Sequence, residues 1–238
     1  MWNKALEKIG IKNGIQVKQM PDNADWDTAD LRYNTIRWVS SPDSGYAVAL
    51  FRANPLTGEI VNASITVDSN FVRYIKLEKK ESVNPASYWQ WQDRKPEPFA
   101  NKNAQKCEYG EGMIEQGWFG ATALSMLAPE MGISNEEYLH QYLREVIVHE
   151  MGHIMGLRHN FIGSTLHDDK QLADPKLLNE NGVTASVMEY GPFNVYALKH
   201  KDVPFYSSTV GPYDLWAIQY GYVPVEGTTE AEIGRAHV

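Results

Sequence analysis

The feature that most constrains the fold is the run at residues 149–159, which reads H-E-M-G-H-I-M-G-L-R-H. His149 and His153 are four residues apart, so on a helix they project from one face and can hold one ion. Gly156 can adopt a positive φ, which would end that helix and turn the chain back. His159 then reaches the same ion. Three imidazoles leave a fourth position open for water, as is typical of catalytic zinc.

Glu150 directly follows the first histidine, so it lies beside the ion without having to bind it. A general base for a metal-bound water is expected at such a position. The short pattern H-E-x-x-H arises by chance fairly often, but the five fixed positions of the whole run do not. The competing interpretation, histidines that only satisfy hydrogen bonds in the core, is therefore disfavoured.

Three helices are predicted around this run. Ser134 and Glu137 form a capping box before an apolar stripe, which predicts a helix from Ser134 to about Gly156. Trp2–Ile9 has the spacing of a short amphipathic opening helix. Glu108–Leu127 predicts a further helix, which its glycines weaken.

The N-terminal half predicts a mostly antiparallel sheet. Short runs of β-branched and aromatic residues alternate there with turn signals, at Ile15–Val17, Tyr33–Val39, Tyr46–Phe51 and Glu59–Val67. Glu81–Lys106 and Gly163–Gly182 are predicted to be polar loops, and the tail from Val225 is predicted to be loose.

The composition, with 43% hydrophobic and 22% charged residues, is that of a globular chain with a real core. The net charge of −8 includes no long basic run, which argues against a nucleic-acid partner. No apolar stretch is long enough to span a membrane, and the first residues lack the layout of a signal peptide. The single cysteine, Cys107, excludes an internal disulfide framework. The oligomeric state stays open.

Two separate motifs, the histidine run and Ser186-Val187-Met188-Glu189-Tyr190, resemble the metzincin clan of zinc metalloproteases. Residues 54–60, 158–161 and 213–218 are similar to a family of large bacterial zinc-dependent metzincins. The resemblance covers most of the chain from Trp2 to Tyr222. It implies an α+β, metzincin-like zincin fold with a mostly antiparallel twisted sheet, an active-site helix and a C-terminal helix after a Met-turn.

The resemblance also implies roles for single residues. Met188 would be the methionine of the Met-turn, packed beneath the three histidines; taken alone, it would more often be an ordinary core residue. Tyr190 occupies the position from which a tyrosine donates to the oxyanion in astacin-like and serralysin-like members, with a packing role as the alternative. An extended substrate would add as a strand to the sheet edge, with Ala63–Val67 as the expected rim.

The implied domain is a single metzincin-like catalytic unit over residues 1–238, with an upper subdomain of about 1–156 and a lower one of 157–238. An opening strand precedes the first long helix in metzincins, whereas this chain starts almost at the helix. The sequence therefore suggests a fragment of a longer precursor. Because family members are usually exported, a secreted, periplasmic or cell-surface location is expected.

The predicted function is that of a zinc-dependent endopeptidase acting on a protein or peptide. A metal-activated water hydrolyses the peptide bond, and Glu150 takes the proton of the water and passes it to the leaving amine. The alternative is a zinc-binding, peptide-binding domain with weak turnover. A non-peptide zinc hydrolase would share the water chemistry but has no support from the Met-turn.

Calcium is a second candidate cofactor, because carboxylate oxygens are its usual ligands. The candidate donors, with solvated loop carboxylates as the alternative, are Asp68, Asp168, Asp169 and Asp174. The remaining histidines have no ligand spacing and are predicted to lie at the surface: His140, His167, His200 and His237. Cys107 is predicted to be a semi-buried free thiol rather than an inhibitory zinc ligand.

Overall fold

The computed structural model describes residues 1–41, 45–73, 109–127 and 134–223. Their helices and strands, in chain order, are α1 (Trp2–Lys8), β1 (Thr35–Val39), β2 (Ala47–Ala53), β3 (Ile60–Asp68), α2 (Tyr109–Leu127), α3 (Asn135–Ile154), α4 (Pro175–Asn181) and α5 (Pro212–Tyr222). The three predicted helices are confirmed with only small differences at their ends. The predicted loop at Glu81–Lys106, the loose tail, Cys107 and His237 lie outside the described residues.

The three described strands form one sheet in the order β1-β3-β2. The central strand β3 is parallel to β1 and antiparallel to β2, and the antiparallel pairing is the longer one. Helices α2 and α3 pack against β2, and α3 also contacts β3. This small sheet packed against helices agrees with the α+β class that the sequence predicts.

The expected substrate rim at Ala63–Val67 is wrong, because these residues belong to β3, which has a partner strand on both sides. Among the described strands, the parallel pairing of β1 with β3 places β3 in the centre and leaves β2 on the outside. Strand patterns in the sequence indicate where strands lie but not which strand pairs with which.

Two other local predictions are also wrong. Ile15–Val17 is not a strand, because the Asn3 side chain forms hydrogen bonds with both the N–H and the carbonyl of Ile15, each 2.9 Å long. The predicted loop Gly163–Gly182 contains α4, whose first turn is capped by the carboxylate of Asp174. The pair Asp174-Pro175 is a helix-start signal, with the cap followed by proline at the first helical position.

The buried residues form two clusters that meet at α3. The larger cluster joins the inner face of β3, including Ile65 and Val67, to α2 and α3. The smaller one joins α1, α5 and Met188, and Met151 of α3 packs against both. Within the described ranges, no helix is both long and apolar enough to cross a lipid bilayer. Two of the three histidines of the 149–159 run, His149 and His153, lie on α3, the helix that both clusters share.

Candidate metal centre

The helix α3 presents the first two histidines from one face. Its N-cap is Ser134, whose hydroxyl accepts a hydrogen bond from the Glu137 N–H at 3.1 Å, as the capping pattern predicts. From this start the helix reaches Ile154, so that His149 and His153 lie one turn apart in its last third. His149 is fully buried and His153 is half-buried.

Gly156 turns the chain back after α3. Its φ of 86° lies in the left-handed region, as expected from the sequence. Because of this turn, His159 Nε2 comes within 3.1 Å of His153 Nε2. Two ligands that lie about 2.1 Å from one tetrahedral ion are separated by roughly 3.4 Å. The ligand atoms of His149, His153 and His159 all lie within 4.8 Å of one another, so one metal ion can contact all three.

Backbone carbonyls select the ring nitrogens that face the centre of this triad. His149 Nδ1 lies 2.7 Å from the Val187 carbonyl, and His153 Nδ1 lies 3.0 Å from the Leu157 carbonyl. Since a carbonyl can only accept, each Nδ1 carries the proton and each Nε2 offers a lone pair. The Nε2 atom of His149 is buried and has no hydrogen-bond partner among the described residues. This donor set fits a metal ion such as zinc.

Burial also keeps the triad neutral. It is the main cause that lowers the pKa of His149 well below its ordinary value, and burial likewise lowers the pKa of His153 and His159. The neighbouring imidazoles lower the pKa of His149 and His159 further. Neutral imidazole is the form that binds metal ions.

Glu150 lies next to the first histidine and is only 1% exposed. The backbone N–H of Ala49 in β2 interacts favourably with its charged carboxylate, while Oε1 has no hydrogen-bond partner in the described part of the chain. Burial raises the pKa of Glu150 to about 7, and the N–H of Ala49 opposes this shift. A carboxylate with a pKa near neutrality can both accept and return a proton.

The residues from Ser186 to Glu189 form a tight turn, here called the 186–189 turn, which is closed by the Glu189 N–H donating to the Ser186 carbonyl at 3.2 Å. Met188, at the turn, is fully buried against α3. A side chain at Gly152 would collide with the Met188 sulfur, so the glycine permits this close approach. The methionine therefore packs on the helix between the two histidines.

Aromatic rings surround the triad. The ring of Tyr190 lies 4.8 Å from that of His159 and 5.9 Å from that of His149, measured between centroids. Tyr109, at the start of α2, stacks on His149 with a centroid distance of 3.6 Å and an angle of 6° between planes. The exposed ring of Phe161 packs edge-on against Tyr190. Tyr190 was predicted from its motif, whereas no local pattern marks Tyr109, because its contact with His149 spans forty residues of sequence.

Two buried acids near the triad were also missed as site residues. Asp214 of α5 accepts hydrogen bonds from the 186–189 turn, and Glu145 lies one turn before His149 on α3. A signal for Asp214 was present, because Gly211-Pro212 followed by an acid is typical of a helix start. Glu145 interrupts an otherwise apolar stripe, which is a sequence signal for a buried polar group.

Calcium finds no support among the described residues. The carboxylates of Asp168 and Asp174 cap nearby backbone N–H groups, and buried Asp68 binds Ser41 and the Asn70 N–H. His140 and His200 are exposed as predicted. His167 is half-buried instead, because its Nε2 lies 3.0 Å from the Gly182 carbonyl.

A helix, a glycine turn and a returning histidine, with a carboxylate beside the triad, define a zincin-type metal site. Residues 133–237 match the model of a protein family described as Met-zincin. The matched range contains all three histidines, the 186–189 turn and α5, while the sheet lies outside it. The match confirms the resemblance to the metzincin clan over this part of the chain. No curated protein and no solved structure matches the chain.

Proposed function

We propose that the chain is a zinc-dependent endopeptidase. The observation that carries the proposal is the convergence of three imidazole nitrogens beside a buried carboxylate that has one oxygen without a partner in the described part of the chain. A zinc ion held by His149, His153 and His159 would supply a Lewis acid that polarises water and the peptide carbonyl. The Met-zincin match supports a protein or peptide as substrate.

Glu150 would act first as general base and then as general acid. Its carboxylate takes a proton from the attacking water, and it returns that proton to the leaving amine when the peptide bond breaks. Support for this role comes from its burial and from the rise of its pKa to about 7. The N–H of Ala49 would hold the carboxylate in place.

Tyr190 would donate a hydrogen bond to the oxygen of the tetrahedral intermediate. The support is the contact of its ring with His159 and His149. We further propose that the 186–189 turn is the Met-turn, with Met188 as the floor of the site; the burial of Met188 against Gly152 supports this. Secretion stays a prediction that rests on the resemblance.

The first prediction tests the function. Glu150→Gln should lower kcat/KM for a fluorogenic peptide by about 10²- to 10⁴-fold, because proton transfer is lost. Zinc content, measured by chelator release, should stay at the wild-type level. In the same assay Tyr190→Phe should lower kcat with little change in KM.

The matched control is Glu136→Gln, an exposed glutamate on the same helix, which should behave as wild type. Full peptidase activity of a zinc-loaded Glu150→Gln protein would remove Glu150 from the mechanism. If the wild-type chain bound zinc but cleaved neither the peptide nor casein, the chain would be a peptide-binding domain with weak turnover.

The substrate is proposed to pair with β2, an outer strand of the sheet that the described residues form. The Tyr46 carbonyl, just before β2, accepts a hydrogen bond from the N–H of Asp68 in β3. In this register the backbone groups of the even-numbered residues 46, 48 and 50 point towards β3. The backbone groups of odd-numbered residues then face outwards, in agreement with the effect of the Ala49 N–H on the pKa of Glu150. An extended peptide bound to this edge would pass directly beside Glu150.

The second prediction follows from this pairing. N-methylation scanned along a substrate peptide should raise KM by roughly 2- to 10-fold at every second amide, because each loss removes one edge hydrogen bond. The intervening amides should tolerate the methyl group. Each peptide serves as a control for its neighbours, and a scan with no alternation would contradict strand pairing.

A further inference from the structure

Two successive carbonyls of the 186–189 turn hold the segments that carry the first and third histidines. The Val187 carbonyl accepts from His149 Nδ1 at 2.7 Å. The next carbonyl, that of Met188, accepts from the N–H of Asn160 at 3.1 Å, and Asn160 directly follows His159. The positions of these two peptide units therefore bear on the distance between His149 and His159.

One carboxylate holds the turn that contains these units: it reaches the Val187–Met188 unit through Ser186, while the Glu189 N–H of the next unit donates to the Ser186 carbonyl at 3.2 Å. Asp214 Oδ2 accepts from the Val187 N–H at 2.9 Å and from the Gly211 N–H at 2.8 Å. Asp214 Oδ1 accepts from the Ser186 hydroxyl at 2.6 Å, and that hydroxyl in turn accepts from the Met188 N–H at 3.0 Å. Every polar group in this set is buried, so none of these bonds competes with bulk water.

The carboxylate is also well matched to its position. Asp214 is the third residue of α5, where the helix N-terminus favours negative charge. Its two oxygens accept from three donors, whereas an asparagine would direct an NH₂ group at the Ser186 hydroxyl, which would then have to accept instead of donate. Burial raises the pKa of Asp214, and the hydrogen bonds from Ser186, Val187 and Gly211 oppose this shift by favouring the charged carboxylate.

We propose that Asp214 is a positioning residue for the metal site, acting through the 186–189 turn on His149 and on the segment of His159. The proposal rests on the metal-binding part of the proposed function and not on peptide hydrolysis. Among the described residues, Asp214 forms no hydrogen bond to either histidine. It holds the turn whose Val187 carbonyl accepts from His149 and whose Met188 carbonyl accepts from the N–H of Asn160, next to His159. The geometry of the histidine ligands thus depends on a side chain that does not itself bind the metal.

The third prediction concerns metal binding by the full chain. Zinc affinity is determined by competition with a chromophoric chelator, and the geometry of the triad is read from the visible absorption bands of the cobalt-substituted protein. Asp214→Asn should weaken zinc binding about 10- to 100-fold and should shift the cobalt bands. Ser186→Ala, which removes only the hydroxyl relay to Met188, should cause a smaller loss in the same direction.

Asp174→Asn is the matched control. Asp174 also caps a helix by accepting two backbone N–H groups, but it is exposed and has no link to the 186–189 turn. It should cost stability while leaving zinc affinity and the cobalt bands unchanged. A folded Asp214→Asn protein with wild-type zinc affinity and wild-type bands would overturn the proposal.

If Asp214→Asn does not fold, the proposal is tested with Ser186→Ala instead. An unchanged zinc affinity and unchanged cobalt bands in that variant would overturn the proposal. Both readouts are independent of turnover. A wild-type chain that binds zinc but cleaves no peptide would therefore contradict the proposed endopeptidase and leave this test intact.

Discussion

Glu145 is a residue whose surroundings oppose its charge. It is 2% exposed, and its Oε2 atom has no hydrogen-bond partner among the described residues. Burial and, to a smaller extent, the nearby charge of Asp214 raise the pKa of Glu145 to about 8, against the opposing effects of Arg144 and the Ser207 N–H. The folded protein therefore keeps a proton that the unfolded chain has already lost above its ordinary pKa of 4.5.

The consequence is a pH-dependent stability, which is the fourth prediction. A raised pKa means that the free energy of unfolding falls as the pH rises from about 4.5 to about 8. The slope from this one group is at most about 1.4 kcal/mol per pH unit. Glu145→Gln should remove that part of the slope, as measured by urea denaturation across this range.

Glu136→Gln serves again as control, since this exposed glutamate lies on the same helix and should leave the slope as in wild type. The comparison uses slopes rather than absolute stabilities, because the glutamine amide brings its own hydrogen-bonding demands. Parallel pH profiles of wild type and Glu145→Gln would contradict the assignment of the buried proton to Glu145.

At the scale of elements, the turn after α3 links helix termination to metal binding. Gly156 has a φ of 86°, and among the described residues no atom beyond its chain neighbours lies within 4 Å of a Cβ built there. The cost of a side chain is therefore purely conformational, roughly 1–2 kcal/mol. As the fifth prediction, Gly156→Ala should lower the free energy of unfolding by about that amount. It should also weaken zinc binding, because His159 loses its return path.

Gly58 offers a matched control in the turn between β2 and β3. Its φ is 72° and the space around it is equally open. Gly58→Ala should cost a similar free energy of unfolding, measured by urea denaturation, and leave zinc affinity unchanged. Equal zinc affinities for the two variants would show that the turn at Gly156 does not set the position of His159.

The site elements that could be predicted are those encoded over a few residues. The capping pair Ser134 and Glu137, the i, i+4 histidines and Gly156 all act within two helical turns, so their spacing alone defines the geometry. The Asp174-Pro175 start of α4 was equally local and was overlooked among the polar residues around it.

Over the whole molecule, what escaped prediction depends on contacts between distant parts of the chain. The Val187 carbonyl and His149 are 38 residues apart, and Asp214 is 27 residues from Val187. The order of the sheet, with β3 in the centre, likewise depends on pairing rather than on strand pattern. Only the resemblance to metzincins indicated a second motif near the histidines. The division into subdomains near residue 156 stays a prediction.

The packing of Met188 against Gly152 also has a chemical consequence. Oxidation to the sulfoxide adds an oxygen atom to the sulfur, and the contact with α3 has no room for it. Met126 of α2 is 73% exposed and meets a peroxide in solution first. The methionine beneath the histidines is thus sheltered from oxidants for as long as the surrounding core stays closed.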